Sequence, residues 1–387
     1  MMSLGRVISS RVAVKWCCIL FLVVGAVAAP ANCQQNRPIM SPEVSSDNRV
    51  TFRVRAPYAK EVSVFIESIK PPMPLKRDDD GVWSGTTAPL EPDYYGYAFI
   101  IDGVFMLDPL DPMIKPNLVA PNSMVHVPGP SSLPWEVNNV PHGVVHHHFY
   151  HSQIVGDDRG FFVYTPPKYD PHDKTLYPVL YLLHGYSDDA SAWTAVGKAN
   201  VILDNLIAQG KAKPMIVVMP LGYGAPEMLS YGWKAIEHHD LRDRNIDRFR
   251  QALLTEVIPQ VEAAYHVAKD RNSRAIAGLS MGGAESLMTG LNTLNQFAWI
   301  GAFSSGGLPE DFNTDFPALD AKADQQLRLL WIACGTEDGL IGINRQLRVW
   351  LASKGVQHVD IETPGGHEWQ VWRRNISVFA PLLFQQK

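Results

Sequence analysis

"RAIAGLSMGG", residues 274–283, sets one serine among small residues: Gly278, Leu279, Ser280, Met281, Gly282, Gly283. The run before Ser280 is apolar and strand-like, and the run after it suits a helix. Ser280 therefore falls on a strand-to-helix turn with its hydroxyl pointing out from a sheet. Such a turn demands unusual backbone angles and close approach of neighbouring chain, which is the physical reason for small residues at Gly278 and Gly282. Glycine and serine are common, and a bare G-x-S-x-G also arises by chance, so the surroundings decide.

Those surroundings change character after Pro141. The apolar runs "GFFVYTP", "YPVLYLLHG", "PMIVVMP", "RAIAGLS", "WIGAFSS", "LLWIACG" and "VDIETPGG" alternate with amphipathic stretches at 199–209, 246–265 and 342–354. Continuous apolar strands interleaved with helices predict an α/β fold, a mainly parallel sheet with helices on both faces. Ligands of such sheets bind at the carboxyl ends of the strands, where Ser280 stands.

A serine hydroxyl is a weak nucleophile until a base takes its proton and a carboxylate orients that base. The chain continues in the required order. Asp338 follows "LLWIACG" within "GTEDGL", and His367 follows the next strand within "PGGHEW". Glu337, adjacent to Asp338, competes for the acid role. A tetrahedral oxyanion needs two donors, expected from the backbone N–H groups of Met281, just after the nucleophile, and Tyr186, in the loop after "YLLHG". His184 reads as a structural partner of that loop.

Residues 45–128 follow a different rule. "RVTFRVRAP", "EVSVFIE", "GVWSGTT" and "YYGYAFIIDG" alternate with period two and predict a small all-β sandwich, with Trp83, Tyr94 and Tyr95 in its core. "VPGPSSLPWE" predicts a linker over 129–141, leaving 142–387 as the α/β domain. Because all three reacting residues lie in that last segment, it is expected to hydrolyse small esters alone.

At the front, Arg6, Arg11 and Lys15 precede "WCCILFLVVGAVAA", too short for a comfortable membrane span. Residues 1–31 read as a signal peptide, with secretion or periplasmic export and no membrane association after cleavage; an uncleaved anchor is the alternative. Cys17 and Cys18 leave with it, so Cys33 and Cys334 remain. A net charge of −5 with interspersed signs excludes a nucleic-acid stripe. "VVHHHFYH" clusters His146, His147, His148 and His151, but neighbouring strand residues face opposite sides and no carboxylate stands at ligand spacing. No metal or cofactor is expected.

From about His142 to Phe384 the chain resembles the "putative esterase" family of α/β-hydrolases, which includes feruloyl esterases of carbohydrate esterase family 1, enterochelin esterases, S-formylglutathione hydrolases and mycolyl transferases. The likeness rests on "VYTPPKYD", "YPVLYLLHGYSDDASAW", "KANVILDNLIAQGKAKPMIVVMP", "DRNSRAIAGLSMGGAESL", "LLWIACGTEDGLIG" and "PGGHEWQVWR". It implies nucleophile Ser280, base His367 and acid Asp338 rather than Glu337. Within the family it points to the feruloyl esterase modules of xylan-degrading enzymes, although the loops around "LGYGAPEMLSYGWKAIEHHD" depart from the pattern. The front segment resembles the immunoglobulin-like early-set domain of glycogen-branching enzymes and isoamylases, some of which bind α-glucans; the resemblance leaves open whether it binds glycan or only completes the fold. The expected substrate is a feruloylated or acetylated plant polysaccharide or oligosaccharide, with Trp193 and Trp369 either walling the acyl group or packing the loop bases. Alternatives are an acetylxylan esterase, an enterochelin-type esterase or acyl transferase, and a non-catalytic carbohydrate-binding protein. The sequence leaves the oligomeric state open.

Overall fold

The apolar runs at the centre of the α/β segment are buried because helices cover both faces of the sheet they form, whereas the last run, "VDIETPGG", forms an edge strand that is largely exposed. The computed structural model describes residues 38–308 and 311–385, so the leader read in residues 1–31 and Cys33 lie outside the described residues. Eight strands build the large sheet: β1 (Val144–Ser152), β2 (Asp157–Thr165), β3 (Val179–Leu183), β4 (Ile216–Pro220), β5 (Arg274–Leu279), β6 (Trp299–Phe303), β7 (Leu329–Gly335) and β8 (Val359–Thr363). Their order is β1-β2-β4-β3-β5-β6-β7-β8. β2 runs antiparallel to β1 and β4, and the remaining neighbours are parallel.

Two cores sandwich this sheet. Leu180 and Leu182 of β3 face one core, with Ile202 and Leu203 of α1 (Ala199–Ala208) and Val371 and Ile376 of α5 (Trp369–Phe379). Val179, Tyr181 and Leu183 face the other, with Phe249 of α2 (His239–Ala252), Leu287 of α3 (Met281–Gly290) and Leu347 of α4 (Ile341–Ser353). This is the period-two alternation of a strand buried on both sides.

Two elements differ from the sequence expectation. The helix expected over 246–265 starts at His239 and continues through a π turn at Leu253–Val257 to Ala264. Its first turn carries few apolar residues, which hid the true start. The histidine run forms β1, an edge strand with largely exposed or half-buried side chains. There His147 stacks on Phe162 and His148 on Phe161, while His148 also hydrogen-bonds the Tyr265 hydroxyl. His151 pairs with Asp158 at 2.8 Å.

The front segment forms two sheets. One joins Glu43–Val44, Val50–Arg55, Val82–Thr86 and Lys76–Arg77; the other runs Ile69–Pro74, Val62–Ile66, Asp93–Ile101, Asn122–Val127, Ile114–Lys115, with Val104–Met106 beside Asp93–Ile101. Val50, Phe52, Val64, Tyr97 and Phe99 fill the space between the sheets. Trp83 and Tyr95 are buried in that core, whereas Tyr94, expected there too, is buried in a core of the α/β segment because it points to the other side of its strand.

The stretch 129–141, expected as a linker, packs against the α/β segment. Trp135 is buried in the same core as α1 and α5, joined there by Tyr94 and Met124 of the front unit. Asn205 of α1 donates from Nδ2 to the carbonyls of Pro134 and Glu136, both at 2.8 Å. The stretch folds through turns, with Leu133 N–H donating to Pro130 O at 2.9 Å and Glu136 N–H to Leu133 O at 3.1 Å, and Ile39–Lys387 form one compact unit.

Candidate active site

β5 delivers Ser280 and α3 begins at the next residue. Ser280 has φ 52° and ψ −118°, a conformation that a residue with a side chain keeps only when its surroundings hold it there. The Ser280 N–H donates to Phe303 O at 2.8 Å, and its carbonyl accepts from Gly283, Ala284 and Gly306 at 2.9–3.1 Å. A Cβ on Gly282 would lie 2.5 Å from the His184 carbonyl, so only glycine permits the loop after β3 to pass this close.

Ser280, His367 and Asp338 come together at the carboxyl ends of their strands. Ser280 Oγ lies 3.0 Å from His367 Nε2, and His367 Nδ1 lies 2.9 Å from Asp338 Oδ2. With Nδ1–H donating to the carboxylate, Nε2 is left to accept the serine proton. Asp338 is buried and accepts the Leu340 N–H at 2.8 Å, whereas Glu337 is exposed. Burial pushes the Asp338 carboxyl up, but the hydrogen bond and charge of His367 outweigh it and hold the group below its ordinary value. Trp372 stands edge-on to the His367 ring at 4.9 Å and donates to Ser304 Oγ.

Met281 and Tyr186, expected from the sequence as oxyanion donors, line the same cavity as Ser280. Met281 is the first residue of α3, so its N–H has no carbonyl one turn earlier to bond within the helix. Tyr186 follows Gly185, whose carbonyl accepts from His184 Nδ1–H at 2.8 Å. His184 Nε2 in turn accepts the Gly222 N–H at 2.9 Å. Those two bonds fix the tautomer, and burial pushes the imidazole pKa down, so His184 is a neutral strut. Because C=O and N–H point opposite ways across a trans peptide, anchoring Gly185 O aims the Tyr186 N–H away from His184.

Ser280 opens into a cavity of about 1040 Å³. One wall is apolar and comes from the loops after β3 and β4: Tyr186, Met228, Trp233 and Ile236. Another part of the lining comes from the front unit: Glu67, Lys115, Asn117 and Asn122. Lys115 Nζ and Glu67 Oε1 lie 2.9 Å apart. Burial raises the Glu67 carboxyl, yet Lys115 and the Gly96 N–H bring it below its ordinary value, so it is a carboxylate.

Of the two readings left open for Trp193 and Trp369, the packing one fits their burial. Trp193 is fully buried, donates to Leu183 O at 2.8 Å and packs edge-on against Trp369 at 5.2 Å. Trp369 touches the cavity but is 1% exposed. Both pack the loop bases. The exposed aromatic is Trp233, 56% exposed and edge-on to Tyr186 at 5.8 Å. It lies in the irregular 226–237 segment, where the available signal was a tryptophan and a tyrosine on either side of Gly232, in the loop that follows a strand end.

Among the described residues no group of three His, Cys, Asp or Glu side chains is arranged to hold a metal. Cys334 is buried, and burial with the nearby Asp338 charge pushes its thiol up to about 12, which removes it as a nucleophile.

Residues 152–381 match the family model described as "Putative esterase". An endo-1,4-beta-xylanase/feruloyl esterase of Xylanibacter ruminicola is 31% identical over 352 residues, which cover 89% of this chain and 46% of that protein; the present chain thus spans about half the length of that relative. An acetyl esterase of Caldicellulosiruptor saccharolyticus is 26% identical over 53% of this chain and 82% of its own. Among solved structures, a ferulic acid esterase of Anaeromyces mucronatus in complex with ferulic acid shares the fold over 66% of this chain and 96% of its own, with a TM-score of 0.55 and 24% identity. The enterobactin esterase of Shigella flexneri shares it over 86% of this chain and 92% of its own, with a TM-score of 0.62 and 20% identity.

Proposed function

Because this chain belongs to the "putative esterase" family and is a carboxylic ester hydrolase, we propose that it cleaves feruloyl esters of plant cell-wall polysaccharide through an acyl-enzyme on Ser280. The observation that carries this reading is the Ser280–His367–Asp338 line at the mouth of a cavity with one apolar, aromatic wall. His367 Nε2 takes the serine proton as Oγ attacks the ester carbonyl. The resulting oxyanion is held by the N–H groups of Tyr186 and Met281, and Asp338 steadies the imidazolium. Collapse expels the sugar alkoxide, which leaves with the proton from Nε2. Water then surrenders a proton to His367 and attacks the acyl-enzyme, releasing the acid and restoring Ser280.

The aromatic acyl group would lie along Tyr186, Met228 and Trp233, and the cavity is large enough for a phenylpropenoyl group and part of a sugar. The sheets of the front unit support a carbohydrate-binding role, and the basic-then-apolar leader supports secretion. Comparing kcat/KM for methyl ferulate with that for a matched acetyl ester tests the acyl assignment. Feruloyl preference is expected; acetyl preference would transfer the reading to an acetylxylan-type esterase. A second reading, an aryl ester of a siderophore, draws support from the fold likeness to the enterobactin esterase, which extends over more of this chain than the ferulic acid esterase likeness. Faster cleavage of enterobactin than of feruloylated oligosaccharide would favour it.

A further inference from the structure

The front unit grips the loop that carries one oxyanion donor. Leu118 N–H donates to Ser187 O at 2.6 Å, and Asn117 Nδ2 donates to Ser187 Oγ at 2.8 Å and to Asp188 Oδ1 at 3.2 Å. Asn117 Oδ1 meanwhile accepts from Val119 N–H and Ala120 N–H, at 3.0 and 2.7 Å, which fixes the amide's orientation. Ser187 sits at φ 74°, a left-handed conformation that neighbours must enforce. The loop is therefore clamped at both ends, with Gly185 held by His184 of the catalytic unit and Ser187 held by the front unit. Tyr186 hangs between the clamps. A second tie reaches the base loop: Ser68 Oγ donates to Glu368 Oε2 at 2.6 Å, and Glu368 Oε1 accepts the Gly366 N–H at 3.2 Å, next to His367.

We propose that the front β unit is a working part of the ester-cleaving machinery, in which Asn117 is a positioning residue that sets the Tyr186 N–H for the oxyanion through Ser187 and Asp188. This rests on the oxyanion assignment above and goes beyond it, since a carbohydrate-binding front unit alone would matter only for polymeric substrates. The clamp acts on the donor itself, so it governs hydrolysis of the smallest soluble ester as well. Loss of one oxyanion donor costs roughly 10² to 10³ in kcat. A donor displaced rather than removed is expected to cost about tenfold to hundredfold.

Asn117→Asp in the full chain isolates the effect. It keeps the acceptor that holds Val119 and Ala120, but replaces the amide donor with a carboxylate oxygen facing Asp188. Ser187→Gly is the complementary variant, since glycine accepts the positive φ and deletes only the hydroxyl. Each would be assayed with p-nitrophenyl acetate and titrated with an arylboronic acid, which forms a tetrahedral adduct on Ser280, and with ferulate, a planar product. The expected result is a kcat lowered about tenfold or more with KM within about twofold, boronate affinity falling in step, and ferulate affinity unchanged. Wild-type kcat in folded variants, with loss confined to polymeric substrate, would overturn the proposal. Ser280→Ala assayed alongside separates the two layers: if it keeps hydrolysing, the underlying serine mechanism falls, whereas an inactive Ser280→Ala beside a fully active Asn117→Asp removes only the positioning role.

Discussion

Asp93, at the start of a front-unit strand, and Arg373, on α5 of the hydrolase, form a 2.8 Å ion pair from which solvent is wholly excluded. Arg373 Nη2 and Gln370 Nε2 both donate to the Tyr94 carbonyl beside it, at 3.2 and 3.0 Å. Two buried charges are tolerable only together, because each offsets the lost hydration of the other. Arg373→Met should therefore cost about 3–5 kcal/mol, by stranding the Asp93 charge. Adding Asp93→Asn should return part of the loss. Denaturant unfolding of the three variants checks this, and a single-variant loss under about 1 kcal/mol would mean that the pair contributes little to the joint. The same joint changes the outlook for a fragment beginning at Pro141. Without Asp93, Tyr94, Met124 and Trp135 it exposes part of its core, so we expect it to be poorly folded and inactive, although all three reacting residues remain.

Replacing Ser280 by alanine should leave the melting temperature near wild type and reduce kcat on soluble esters by about 10⁴-fold to 10⁶-fold. The two neighbouring acids provide a sharper check. Asp338→Asn alters the group that holds the His367 tautomer, whereas Glu337→Gln changes an exposed side chain. The first should lose roughly 10⁴ in kcat and the second almost nothing. The reverse ranking would contradict the hydrogen-bonded order seen here.

Stability should depend on pH in two opposed ways. Burial pushes the Asp188 carboxyl up to about 7 from its ordinary 3.8, despite Lys115 and Asn117. The folded chain then holds a proton that the unfolded chain gives up, so this group's contribution is lost as pH rises from about 4 to about 7. Glu362 behaves oppositely: its hydrogen bonds from Arg345 and then Arg348 hold it down to about 2 from 4.5, so its contribution is lost as pH falls through that interval. Melting curves from about pH 3 to 9 for wild type, Asp188→Asn and Glu362→Gln should show the neutral-side decline flattened in the first variant and the acid-side decline in the second. If the Asp188→Asn curve runs parallel to wild type, Asp188 is not the titrating group.

What could be read from the sequence was decided by how many faces of a segment are buried. β3, β5 and β7 are covered on both faces, so they appear as unbroken apolar runs. β1 is an edge strand of histidines and aromatics and carries no such run. Gly278 and Gly282 revealed the elbow because steric exclusion leaves almost no other residue there. Glu337 and Asp338 are chemically alike and adjacent, and only the turn after β7 turns one inward. The front unit's share of the site was invisible because Lys115 and Asn117 reach Asp188 and Ser187 across some seventy residues of chain with no periodic pattern to mark the meeting. The sequence leaves the two tryptophans between two readings for a related reason: nearness in sequence to Tyr186 and His367 says nothing about which way a ring turns.

That choice yields the last prediction. Trp193 lies beneath the site with its indole N–H bonded to Leu183 O, so Trp193→Ala should act as a core deletion. It is expected to cost about 3–5 kcal/mol of stability while leaving the ratio of aromatic to acetyl ester turnover in the surviving folded enzyme nearly unchanged. Trp233 is the opposite case, since it lines the cavity, is 56% exposed and stands edge-on to Tyr186. Trp233→Ala should leave the melting temperature within a few degrees of wild type. Stacking of two aromatic groups is worth about 0.5–1.5 kcal/mol beyond area burial, so kcat/KM for methyl ferulate should fall about threefold to tenfold relative to that for a matched acetyl ester. Trp233→Phe, which retains an aromatic face, should recover most of that ratio. Equal losses on both esters in Trp233→Ala would show that the ring serves the loop rather than the acyl group, and the aromatic wall would then have to be sought at Tyr186.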